Sequence, residues 1–176
     1  MDKTNNNKYD ITERDVEELV KFTGLSNWRI LVKMFNNPKS EDGEIYAKYL
    51  LAKYKRLCKT ETLDEMIAYE KLQIYNCKAD FYCETNKDPE QELGITIDDF
   101  KYLESILSKD ELCKYFTQDT NEVISNNVSL NELDKIIQTL KDTRKNSNDE
   151  QVKIACIKFE ILQHKAKFDI ITNSNN

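Results

Sequence analysis

The 176 residues predict an all-α protein, a compact bundle of seven or eight helices arranged as two similar four-helix halves. Three observations carry this. Glycine and proline number only three and two, too few for a sandwich or barrel that needs frequent turn residues; Gly24, Pro38, Gly43, Pro89 and Gly94 are read as breaks between helical segments. Six Ser/Thr-x-x-Asp/Glu patterns precede apolar stripes, the signature of a helix start at which hydroxyl and acid cap the chain reciprocally. Finally, the chain echoes itself. Ile67 to Phe81 and Ile154 to Phe168 share seven of fifteen residues, and Ile11-Thr12-x-x-Asp15-Val16-x-x-Leu19 is mirrored by Ile95-Thr96-x-x-Asp99-Phe100-x-x-Leu103.

The first half then reads as helices at 12–22, 26–36, 41–58 and 62–85, started by Thr12/Asp15 and Thr62/Glu65 where a box is present. The second reads as 96–107, 108–117, 129–145 and 147–172, started by Thr96/Asp99, Ser108/Glu111, Ser129/Glu132 and Ser147/Glu150. The last helix has the clearest stripe, Ile154, Ile157, Ile161, His164 and Phe168, at alternating spacings of three and four that turn one face to a neighbour. Residues 1–9 are expected as a disordered polar tail, 10–86 as the first helical unit and 94–172 as the second. The two units are expected to pack as one domain, with Glu84 to Gly94 between them.

Composition excludes more than it assigns. A net charge of −6, divided evenly between the halves, is not that of a non-specific phosphate binder. No apolar run is long enough for a membrane span or reads as a signal peptide, so a cytoplasmic location, or the cytoplasm of a host cell, is expected. The cysteines, Cys58, Cys77, Cys83, Cys113 and Cys156, are odd in number and form no CxxC, which predicts reduced, mostly buried thiols. One histidine, no EF-hand spacing, no P-loop, no GxGxxG and no GxSxG predict no metal, no cofactor and no catalytic set. Cys77 and His164 occupy equivalent positions of the echo, where packing explains both better than a nucleophile and its base.

Against the acidic background, residues 21–60 hold nine basic and three acidic side chains. Within 12–36 the run Asp15-Val16-x-x-Leu19-Val20-x-x-Thr23-Gly24-Leu25-Ser26-x-x-x-Ile30-x-x-x-Met34 resembles a DNA-binding helix-turn-helix. The resemblance covers about 20 residues. It implies Gly24 in the turn, Ile30 and Met34 buried, and Asn27, Trp28, Arg29 and Lys33 towards a groove. A plain αα-hairpin fits the same residues. The second copy supports the hairpin, because it lacks the turn glycine and its second helix carries Asp110 and Glu111. Further on, Tyr46, Tyr49 and Tyr54 interleave with Lys48, Lys53, Lys55 and Arg56, a mixture found in single-strand nucleic-acid binders. Tyr46, Tyr49, Leu50 and Leu57 read instead as a core face with a basic solvated flank.

Trp28, Arg29, Lys33, Lys53, Lys55 and Arg56 therefore form the candidate interaction surface. The expected function is non-enzymatic binding of another protein. Its finer form is a small acidic inhibitor of viral or phage origin acting on a host nucleic-acid-handling protein. The alternative is a helix-turn-helix regulator contacting DNA through 12–36.

Overall fold

The structure is a computed structural model that describes residues 7–21, 23–57, 62–92, 94–108, 112 and 129–174, without the side chains of 56 and 57. Among these residues it is all-helical. The eight helices are α1 (Glu13–Val20), α2 (Arg29–Phe35), α3 (Glu41–Leu57), α4 (Leu63–Thr85), α5 (Pro89–Glu92), α6 (Ile97–Glu104), α7 (Leu130–Asn146) and α8 (Glu150–Asn173). None of them is long and apolar enough to cross a membrane. The helix expected at 108–117 lies outside the described residues apart from Ser108 and Leu112. Of the expected tail, 1–6 lie outside them, while Asn7 accepts hydrogen bonds from the backbone of Tyr9 and Asp10 to close a turn.

The helix starts follow the capping patterns. Thr12 with Asp15, Thr96 with Asp99 and Ser129 with Glu132 form complete boxes. Thr62 and Glu65 exchange the same two bonds, each 3.2 Å. Glu111, the acid of the Ser108 pattern, lies outside the described residues. The Ser147/Glu150 expectation is corrected. Asp149 is the N-cap of α8, accepting from Gln151 and Val152, while Ser147 closes α7 and accepts from the Asp149 backbone. A carboxylate adjacent to the first turn outcompetes a hydroxyl two residues earlier.

Gly43 departs from the expected breaks. It lies in the first turn of α3, where an added Cβ would meet the Tyr75 hydroxyl and the Met34 carbonyl, the latter at 2.9 Å. Its role is close approach rather than helix termination. Asn86, at φ 54° just past α4, supplies the left-handed residue that ends that helix, while Gly24, at φ 71°, lies in the connection between α1 and α2.

The chain divides into two compact units, Met1–Asn76 and Cys77–Asn176, so the division falls inside α4 rather than in the Glu84–Gly94 segment. In the first unit α2 packs on α1 and α3. Val16, Leu19, Leu31, Phe35, Leu50, Tyr54, Leu72 and Tyr75 form its core. Asn36 ties α2 back to the start of α1, donating to the Ile11 carbonyl (2.7 Å) and accepting from the Ile11 amide (2.9 Å). The Tyr54 hydroxyl donates to the Glu18 carbonyl at 2.7 Å. In the second unit α8 packs on α6 and α7, around Leu103, Leu133, Leu140, Cys156 and Phe159.

The echo has a structural counterpart. In the first unit Asp15, already bonded to the Thr12 backbone, accepts from Lys71 at 2.8 Å. In the second, Asp99, bonded to the Thr96 backbone, accepts from Lys158 at 2.6 Å. All four charged residues are buried. Lys71 and Lys158 are matched positions of the repeated fifteen, and Asp15 and Asp99 are matched positions of the repeated helix start. Elsewhere in the repeat Ala68 and Ala155, Ile74 and Ile161, Cys77 and His164, and Phe81 and Phe168 are buried in both copies. A buried charge requires a partner, so each helix start and each long helix are joined by one identical pair.

Candidate binding surface

The buried residues of α2 are Leu31 and Phe35. The helix-turn-helix register placed Ile30 and Met34 there, and this is corrected: Met34 is half-buried and Ile30 is 58% exposed. The slip of one residue turns the apolar side chain of Ile30 to water beside exposed Arg29 and Lys33. The connection also departs from the motif. Residues 21–28 separate α1 from α2, whereas a helix-turn-helix uses a turn of about three or four residues.

Trp28 precedes α2 half-buried against the first unit's core. The guanidinium of Arg29 lies 5.7 Å from its ring centroid, within cation–π range. Trp28, Arg29 and Lys33 of the candidate surface thus gather at α2. Lys53 (half-buried) and Lys55 (exposed) are on α3. Two residues apart on a helix, they point about 160° away from each other and do not share a face. Arg56 belongs to α3, with its side chain outside the described residues.

The core face of α3 is Gly43, Ala47, Leu50 and Tyr54, repeating by four, three and four. Of the face expected from Tyr46, Tyr49, Leu50 and Leu57, Leu50 is buried, whereas Tyr46 is 39% and Tyr49 51% exposed; the side chain of Leu57 lies outside the described residues. The pole opposite the core carries Ile45, Tyr49 and Ala52. Ile45 is the most exposed of the three at 65%. Helices that pack on one side ordinarily show water a polar face. α7, also of 17 residues, does so with Asn131, Asp134, Lys135, Gln138, Thr139, Asp142 and Lys145. Sequence reasoning missed Ile30, Ile45 and Ala52. The available signal was that 45–52 of α3 hold more apolar residues than one helical face accommodates.

Cys77 and Cys156 are buried, Cys83 is exposed, and Cys58 and Cys113 lie outside the described residues. Cys77 is buried and its Sγ lies 3.5 Å from Glu160 Oε2. Burial, reinforced by the Glu160 charge, pushes the Cys77 thiol well above its ordinary value. Cys156 is pushed up to about 12 by the same causes. Glu160 is itself raised by burial, against the opposing charge of Arg144, whose guanidinium donates to Asp80 (2.8 Å) and Glu160 (2.9 Å). Such thiols remain protonated at neutral pH and are poor nucleophiles. Among the described residues no group of three or more His, Cys, Asp or Glu is placed to hold a metal ion. No protein-family model, no curated protein and no solved structure matches the chain.

Proposed function

We propose that the protein is a non-enzymatic binding protein that engages another protein through the solvent face of α2. The observation that carries this reading is the exposed Ile30 between Arg29 and Lys33, with Trp28 anchored beside it. Trp and Arg around an apolar residue are the composition favoured at interface hot spots.

The finer form, an acidic inhibitor of a nucleic-acid-handling host protein, draws on the net charge of −6. The α2 face has the opposite local sign and selects a partner surface that is apolar at the centre and acidic at the rim, which disfavours this finer form. DNA binding through 12–36 is the second reading, favoured by the exposure of Arg29 and Lys33 and disfavoured by the eight-residue connection and the Ile30 register.

The test is affinity capture by wild type and by Ile30→Asp, with circular dichroism as the fold control. A partner retained by wild type and lost by the variant is the expected result. Capture of nothing reproducible, or equal capture by both, overturns the α2 reading. A DNA titration at low salt with wild type and Arg29→Ala/Lys33→Ala separates the alternative: binding that weakens with salt and with the variant would favour the regulator.

A further inference from the structure

The outer face of α3 is complementary to itself. Its pole is the apolar stripe Ile45, Tyr49 and Ala52. Along the helix the flanks change sign, from Glu41, Asp42 and Glu44 at the start to Lys48, Lys53 and Lys55 towards the end. At about 100° per residue, Asp42 and Lys53 fall within about 20° of each other on one flank, and Glu41 and Lys55 within about 40° on the other.

We propose that α3 is the interface of a homodimer, with a second copy's α3 packed antiparallel across a two-fold axis at Lys48. In antiparallel packing the same flanks of the two helices meet. Asp42 then faces the partner's Lys53, Glu41 faces the partner's Lys55, and Ile45 stands level with the partner's Ala52. The midpoint of each pair falls within about half a residue of Lys48, as a single two-fold axis requires. Lys48, nearest the axis, is paired with Glu44 of its own chain, which removes the repulsion that two facing lysines would create. The antiparallel arrangement also sets opposed helix dipoles side by side. α7, the helix in the corresponding place of the second unit, has no such apolar pole.

A 17-residue helix is about 25 Å long. One helix-on-helix contact of this length falls short of the roughly 1,000 Å² of a stable interface, so the dimer is a weak one whose population rises with concentration. This inference uses α3 and not α2, and its test needs no partner protein.

Sedimentation equilibrium of the full chain between about 1 and 200 μM reads the outcome directly. The mass-average is expected to rise towards twice the monomer for wild type and to stay monomeric for Tyr49→Glu, whose exposed position leaves the circular dichroism spectrum unchanged. Asp42→Lys and Lys53→Glu are each expected to weaken the dimer at least fivefold when alone. Mixed together they restore it, because each then meets its complement on both sides of the axis. A wild type that stays monomeric throughout overturns the proposal, as does a Tyr49→Glu that still dimerises. Failure of the mixture to recover overturns the antiparallel register.

Discussion

α3 and α7 are helices of equal length in corresponding places of the repeat, each preceding the long helix of its half. They differ on the side facing water. α7 presents acids, amides, hydroxyls and lysines there, whereas α3 presents Ile45, Tyr49 and Ala52. The polar outer face of α7 is compatible with burying Leu133, Ile136, Ile137 and Leu140 on the other. The apolar pole of α3 is therefore not a requirement of this kind of helix. What the halves share — the capped start and the buried Asp–Lys pair — is scaffold, and the apolar outer pole that α3 has alone is the feature on which the proposed dimer rests.

The shared part is open to the harshest test. Removing one member of a buried ion pair costs about 3 kcal/mol or more. Lys71→Ala and Lys158→Ala are each expected to lower unfolding stability by that amount in urea titrations. A loss confined to one of them would break the equivalence of the halves.

A smaller effect sharpens the contrast at Glu160, whose counterpart in the first half is Gln73. Burial raises the Glu160 pKa above the ordinary 4.5, so the folded chain holds this proton more tightly than the unfolded one. Its contribution to stability is fully present below pH 4.5, and is lost as pH rises through the folded pKa. The slope is at most about 1.4 kcal/mol per pH unit. Glu160→Gln is expected to remove that slope, measured as urea midpoints against pH. An unchanged profile would mean that Arg144 offsets the burial of Glu160 completely.

The smallest effect concerns the caps. Thr12→Ala and Thr96→Ala are each expected to cost about 1 kcal/mol, read as equal shifts in thermal midpoint. Unequal shifts would show that the two helix starts carry different loads despite identical boxes.

Local rules account for what was legible in the sequence. A capping box involves four consecutive residues and two backbone amides, so Thr12, Thr62, Thr96 and Ser129 could be read directly. The Ser147 pattern failed because Asp149 offers a charged acceptor one residue before the helix, and a pattern search does not weigh competing acceptors. The candidate surface was legible in part. Arg29 and Lys33 are exposed as charge alone predicts, and Trp28 and Arg29 are neighbours in the chain. Ile30 was misplaced because a seven-residue helix holds only about two turns, and Leu31/Phe35 and Ile30/Met34 satisfy the same spacing. The same ambiguity hid the outer pole of α3, where apolar residues occur all round the helix.

By itself the sequence determined the helical class, most of the helix starts and the echo between its two stretches, because these depend on contacts within a turn or on comparison of the chain with itself. Only the tertiary structure decided that Asp15 meets Lys71 and Asp99 meets Lys158. The echo marked these residues as repeated without saying that they touch, since the partners are 56 and 59 residues apart. Only the tertiary structure decided, too, which apolar face of α2 and α3 the core takes. A helix with two candidate faces buries the one its neighbours can pack against, and the other is left to water.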